Sequence, residues 1–225
     1  MVRRTAGRGL IASVCRPLLA VAVAWLALCA LALVYLRYFP PPVTALQLQR
    51  WVEHGERLGS RTGFVPLASL GPYLPYATVV AEDARFYKHH GLDWDGMRSA
   101  AADNLHRRRM WRGGSTITQQ LVKNLFLTTH GSVVRKALEV PLSLLAEAIL
   151  PKSRILELYL NVVEWGPGIY GAQAAAEHYY DVSAAKLNRD QAARLVACLP
   201  APRTREPQRM DAAAAAILHH MTAIK

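Results

Sequence analysis

The run from Leu18 to Leu36, LLAVAVAWLALCALALVYL, contains no charged residue. At roughly 1.5 Å of rise per residue, a helix of this length matches a bilayer core of roughly 30 Å. Arg3, Arg4, Arg8 and Arg16 precede it, and no acid occurs before Glu53. That asymmetry predicts a cytoplasmic N-terminus. Tyr35, Tyr38 and Phe39 suit the far interface, and Pro40, Pro41 and Pro42 stop the helix. A cleaved signal peptide is the rival reading, because Ala30, Leu31 and Ala32 resemble a small-residue cleavage site. The apolar core of a signal peptide spans only about 7–15 residues, so the length favours a retained anchor. The expected division is a cytoplasmic N-terminus over 1–17, a transmembrane anchor over 18–38 and a folded domain over 39–225.

The formal net charge of +11 favours anionic partners: membranes, phosphorylated substrates or nucleic acid. An anchor favours the first two. No zinc-finger spacing and no basic stretch interleaved with aromatics supports nucleic acid. Cys15, Cys29 and Cys198 form no disulfide framework.

No segment beyond the anchor alternates with period two over a strand's length, so the domain reads as all-α or nearly so. Helices are expected over Gln47–Leu58, Tyr76–Phe86, Trp94–His106, Val133–Leu150, Ser153–Glu164, Gly168–Tyr180, Asp190–Leu199 and Asp211–Ile224. Another is expected to start near Ser115 or Thr116, where Thr116 and Gln119 have capping-box spacing. Arg107–Gly114 reads as a loop.

Three stretches carry candidate chemistry. In AEDARFYKHHG, Glu82 and Asp83 lie in an apolar helical face, with Phe86 one turn on and His89, His90 and Gly91 following. They form either a solvated acid pair or a base at a cleft. An apolar wall raises a carboxylate's proton affinity, which suits a general base.

In RGGSTITQQLVKNLFL, helical spacing puts Gln120, Lys123, Asn124 and Leu127 on one face, with Ile117, Leu121 and Leu125 on another. A donor-rich face after a Gly-Gly turn is either a well-capped amphipathic helix or an anion site, since free amides at a helix N-terminus attract anions. In the third stretch Arg135, Lys136 and Glu139 are helical neighbours. They form either an exposed ion-pair ladder or a pyrophosphate clamp whose acid binds a metal or relays a proton. Pro141 removes the amide that would reach the carbonyl of Ala137 and predicts a kink past Glu139.

Together these stretches resemble the bacterial peptidoglycan glycosyltransferases (glycosyltransferase family 51), and specifically their short monofunctional biosynthetic members. The likeness runs through EDxxFxxHxG (Glu82, Asp83, Phe86, His89, Gly91), GGSTITQQLVKN (Gly113–Asn124) and RKxxE (Arg135, Lys136, Glu139). It continues through KSRILELYLN (Lys152–Asn161) and GxxGAxxAAxxYY (Gly168–Tyr180).

The resemblance implies a mostly helical, lysozyme-like domain with a small membrane-proximal jaw. It implies polymerisation of lipid II by inverting glycosyl transfer, with release of undecaprenyl pyrophosphate. Glu82 would be the base on the acceptor 4-hydroxyl, and Glu139 would assist the leaving pyrophosphate directly or through a divalent cation such as Mg or Mn. Lys123, Arg135 and Lys136 would neutralise the pyrophosphate, and Ser115 and Gln120 would hydrogen-bond substrate. Asp83, Phe86, His89, Asn124 and Lys152 complete the candidate substrate-binding set. No organic cofactor is implied. The implied partners are lipid II, undecaprenyl-pyrophosphate-linked glycan, the bacterial inner membrane and other cell-wall synthesis or division proteins; the implied location of the domain is the periplasm.

Three positions depart from the family pattern. An arginine often precedes the lysine of RKxxE by about five residues; here the position is Gly131, leaving Arg135 or His130 to supply the charge. The usual YFG is Tyr179, Tyr180 and Asp181. Pro200–Met210 is abbreviated, which bears on C-terminal helix packing. A glycan-cleaving enzyme on the same fold would need an acid but no cation cluster, because its leaving group is neutral. A catalytically silent cell-wall scaffold would need neither Glu82 nor Glu139. Ser183–Lys186 spells SxxK, but no SxN or KTG follows it, so a penicillin-binding second domain is not expected.

Overall fold

The charge-free run is the greater part of one long helix, α1 (Thr5–Leu36). Within it, Arg16–Leu36 is long and apolar enough to cross a membrane. The computed structural model describes residues 5–56, 58–59, 63–96, 98 and 114–223. Arg3, Arg4, Gly113 and Ile224 lie outside these residues, as do most of the expected helix Trp94–His106 and of the loop Arg107–Gly114.

Beyond α1 come α2 (Ala45–His54), α3 (Tyr73–Glu82), α4 (Ile117–Phe126), α5 (Val133–Ile149) and α6 (Lys152–Val162). An antiparallel hairpin of β1 (Glu164–Gly166) and β2 (Ile169–Tyr170) follows, then α7 (Ala172–Tyr180), α8 (Arg189–Cys198) and α9 (Asp211–Ala223). The described chain is thus mostly helical, as expected. The hairpin interrupts the expected helix Gly168–Tyr180. Gly168 (φ 69°) and Gly171 (φ 89°) adopt backbone angles that a continuous α-helix excludes.

α4 packs on α2, α5 and α6, while α3, α8 and α9 pack on one another. Ile117, Leu121, Leu142, Ile155, Tyr159, Phe86 and Trp165 are fully buried in one shared core. Each such side chain contributes about 1.5–3 kcal/mol by leaving water. The C-terminal helix keeps its packing despite the abbreviated stretch before it. Met221 is buried, its carbonyl accepts from the Tyr76 hydroxyl at 3.0 Å, and Asp211 pairs with Arg194 at 2.6 Å.

α1 joins the same core. Much of it is exposed, but Cys29, Leu33 and Leu36 are buried, and the helix packs along α5. Helix ends leave carbonyls without partners, and here the two helices are capped from neighbouring elements. Arg37 donates to the carbonyl of Ile149 at 2.5 Å, at the end of α5. Arg154 donates to the carbonyls of Leu36 and Phe39, each at 2.8 Å, and lies 5.0 Å from the centre of the Phe64 ring.

One local expectation changes. α3 ends at Glu82, not Phe86, because Asp83 leaves helical geometry (φ −160°, ψ 72°) and residues 86–88 form a separate 3-10 turn. Phe86 therefore does not continue the helical face of Glu82. α5 runs as one helix through Pro141, and the Ser143 hydroxyl donates to the carbonyl of Glu139 at 2.7 Å.

Candidate active site

Glu82 and Asp83 are adjacent, yet they do different work because the helix stops between them. Glu82 lines a cleft of about 700 Å³. Its Oε2 accepts a hydrogen bond from Gln120 Nε2 at 2.8 Å, and Gln120 Oε1 accepts one from the hydroxyl of Tyr159 at 2.9 Å. Tyr159 is fully buried, so this chain of contacts anchors the carboxylate to the core. Burial raises the proton affinity of Glu82; the Gln120 hydrogen bond and the Lys123 charge oppose that rise.

Asp83 also borders the cleft but is 7 % exposed, and its side chain makes inward contacts. It accepts from the amide of Ile117 at 3.0 Å and faces His89 Nε2 at 2.9 Å. The first contact satisfies an orphan amide at the start of α4. The expected capping box is formed. Thr116 Oγ1 accepts from the Gln119 amide at 3.1 Å, and Gln119 Oε1 accepts from the Thr116 amide at 3.0 Å. The Thr116 hydroxyl donates to the carbonyl of Gly91 at 2.6 Å. Gly91 sits at φ 86°, where a Cβ would lie 3.0 Å from the carbonyl oxygen of Ser143. Glycine is required there for conformation and for close approach.

α5 brings the third stretch to the same cleft. Glu139 is 2 % exposed; Oε1 receives Arg135 Nη1, and Oε2 receives Lys136 Nζ at 2.7 Å. Lys136 also donates to Ser115 Oγ at 2.8 Å, tying α5 to the residues before α4. Lys123 borders the same cleft and feels the charge of both acids. Burial lowers its proton affinity, which the charges of Glu139 and Glu82 partly restore.

Glu82, Asp83, Ser115, Gln120, Lys123, Arg135, Lys136 and Glu139 therefore share one cleft. Phe86, His89, Asn124 and Lys152 do not line it. Phe86, His89 and Asn124 are buried. Lys152 pairs with Glu147 at 2.7 Å and sits 4.3 Å from the centre of the Phe86 ring. Glu147 also accepts from Thr118 at 2.5 Å. These four therefore stand off the lining of the cleft, while Asp83, His89 and Gly91 of the motif that carries Glu82 join the end of α3 to the start of α4.

Sequence reasoning did not assign roles to Tyr159, Leu199, Pro200, Arg85 or Asp93, although Tyr159 holds Gln120 and the other four border the cleft. Tyr159 lay inside KSRILELYLN, but its link to Gln120 depends on α4 meeting α6, which no local pattern encodes.

At the Gly131 departure, neither proposed substitute stands free. His130 pairs with Glu53 at 3.1 Å and does not border the cleft, while Arg135 is held by Glu139. The described residues form no preformed cage for a divalent cation. Both oxygens of Glu139 face cations, and no group of three or more His, Cys, Asp or Glu suited to a metal occurs among the described residues.

Residues 52–222 match the Transglycosylase family. The chain is 44 % identical over 174 residues to a protein of Nitrosospira multiformis, covering 76 % of each chain. It is 49 % identical over 165 residues to one of Rhodopseudomonas palustris (strain TIE-1), covering 73 % of this chain and 68 % of that one. It is 43 % identical over 182 residues to one of Laribacter hongkongensis, covering 80 % of each. All three relatives are named biosynthetic peptidoglycan transglycosylase. Identity at this level across most of both chains, over the segment that builds the cleft, makes this chain a member of the transglycosylase family and a peptidoglycan transglycosylase enzyme.

Proposed function

We propose that the enzyme polymerises lipid II, with Glu82 as general base and the Lys123, Arg135 and Lys136 cations receiving the leaving group. The observation that carries this reading is the set of charges gathered in one cleft. A carboxylate with raised proton affinity, the Lys123 amine and a pair of cations fixed by a buried acid all line it.

Glu82 takes the proton from the acceptor GlcNAc 4-hydroxyl, whose oxygen attacks C1 of the donor MurNAc. The C1–O bond to the α-linked pyrophosphate breaks and a β-1,4 bond forms, so the anomeric centre inverts. The arrangement resembles an inverting hydrolase with a sugar hydroxyl in place of water. Undecaprenyl pyrophosphate leaves as an anion, and fixed cations stabilise the charge as it develops. Glu139 serves by holding Arg135 and Lys136, with no metal-dependent step. Gln120 orients Glu82, and Ser115 orients Lys136.

The proposal includes a lysozyme-like domain over 39–225 with a small jaw toward the membrane. An anchor over 18–38 holds it in the bacterial inner membrane, with 1–17 in the cytoplasm and the cleft in the periplasm. The apolar span supports the anchor, and the early arginines support the orientation. Other cell-wall synthesis or division proteins are its proposed neighbours, and no nucleic acid is a partner.

The test is incubation of the purified full chain with lipid II and separation of the products. Glycan polymer together with undecaprenyl pyrophosphate is expected. Fragments released from finished glycan, without polymer from lipid II, would show a cleaving enzyme instead.

A further inference from the structure

A second cavity, of about 580 Å³, opens between the β1–β2 turn, the end of α7 and residues 203–208. Its lining includes Pro167, His178, Tyr179, Arg203, Arg205 and Gln208. The charges around it are unevenly matched. Arg203 is committed to two carboxylates, Glu56 at 2.7 Å and Glu164 at 2.6 Å. Glu206 is held by Arg209 at 3.3 Å. Arg205 has no carboxylate partner among the described residues; the one described hydrogen bond of its side chain runs from Nη1 to the carbonyl of Ala197 at 2.8 Å. A guanidinium carries five N–H donors in a planar fork, so most of its capacity is unspent.

A short turn links the cavity to the candidate catalytic cleft. Leu199 and Pro200 border the cleft, and Arg203, just along the same turn, borders the cavity. α8, which ends just before this turn, packs on α3, which carries Glu82, whereas α5, which carries the clamp pair, packs on α4. The turn that leads to Arg205 therefore lies on the Glu82 side of the cleft. In a transfer with the leaving group at the clamp and the attacking hydroxyl at Glu82, the acceptor extends toward Arg205. Peptidoglycan precursors carry a short peptide with free carboxylates beside the sugar, and the cavity volume suits a small peptide segment.

We propose that this cavity seats a carboxylate of the acceptor's peptide, gripped by the fork of Arg205 with His178 and Gln208 beside it. This site rests on Glu82 being the base for the acceptor. It makes Arg205 a specificity residue that selects the incoming peptide rather than serving the chemistry.

The test is a single-addition assay with the full chain. A preformed polyprenyl-linked tetrasaccharide serves as donor. The acceptor is lipid II with its peptide carboxylates either free or converted to amides. For the wild type, amidation should raise KM for the acceptor about tenfold with kcat little changed, the scale of one charge-assisted pair. Arg205→Gln should show the high KM with both acceptors, and Arg205→Lys should keep part of the preference. The effect of Arg205 on Glu82 is common to both acceptors and cancels in the ratio. Equal KM values in the wild type, or full discrimination retained by Arg205→Gln, would overturn the site. No addition with either acceptor would overturn the reaction reading and this inference with it.

Discussion

Gln120 Nε2 donates to Glu82 Oε2 at 2.8 Å. This contact favours the ionised form of a carboxylate whose burial favours the protonated form. A general base works only when ionised, so kcat/KM should fall with decreasing pH through a limb set above the ordinary glutamate value of 4.5. Gln120→Ala removes a contact that lowers the Glu82 pKa, so the limb should move to higher pH. A pH profile of kcat/KM checks this; a limb that stays or moves down contradicts it.

Glu82 also affects stability. Its folded pKa is raised, so the folded state binds more protons than the unfolded state between the two values. The contribution of this group is favourable below the unfolded pKa and is lost as pH rises through the folded one. Glu82→Gln should therefore be at least as stable as the wild type at pH 7, and relatively less stable at pH 4. Thermal unfolding at the two pH values measures the crossover.

Asp83 makes a prediction of the opposite kind. Its carboxylate holds the Ile117 amide and His89 in a buried setting. Asp83→Ala leaves both without that acceptor and should cost about 2–4 kcal/mol of stability. Denaturant unfolding should show it as a lowered midpoint. An unchanged midpoint would mean that Asp83 does not fasten α3 to α4.

Asp181 is the one non-glycine residue with positive φ among the described residues, at 54°, where it closes α7. A residue bearing a Cβ pays to adopt this conformation, though aspartate pays less than most. Asp181→Gly should stabilise the protein by about 0.5–1 kcal/mol, read as a raised unfolding midpoint with activity unchanged.

Some of this was written locally in the chain. The capping box at Thr116 and Gln119, the Gly91 turn, the helical content and the grouping of Glu82, Ser115, Gln120, Lys123, Arg135, Lys136 and Glu139 follow from spacing and motif. What spacing could not supply is direction. Phe86, His89 and Asn124 share motifs with the cleft residues but are buried away from its lining, Lys152 pairs with Glu147, and Asp83 borders the cleft with its carboxylate turned inward. The end of α3 at Glu82 decides that for the first motif. Similarly, Arg135, Lys136 and Glu139 read as a surface ladder until packing of α5 buries Glu139. The hairpin at 164–170 was missed because two short strands leave too little alternation to see.

At Gly131 no atom lies within 4 Å of where a Cβ would be built, so a larger side chain fits. Gly131→Arg adds a cation just before the α5 clamp. It should tighten competitive inhibition by undecaprenyl pyrophosphate about threefold at low salt, and less at high salt. An unchanged inhibition constant would show that a charge at this loop does not reach the leaving-group site.

The central claim is that Glu82 is the base in a cleft whose cations receive a pyrophosphate. Its most direct measurement is the rate of glycan polymer formation from lipid II by purified Glu82→Gln, compared with wild type at pH 7 after both are shown to be folded. A loss of at least a hundredfold is predicted, the scale of removing a positioned acid–base group. Polymerisation at the wild-type rate by the folded variant would contradict the account.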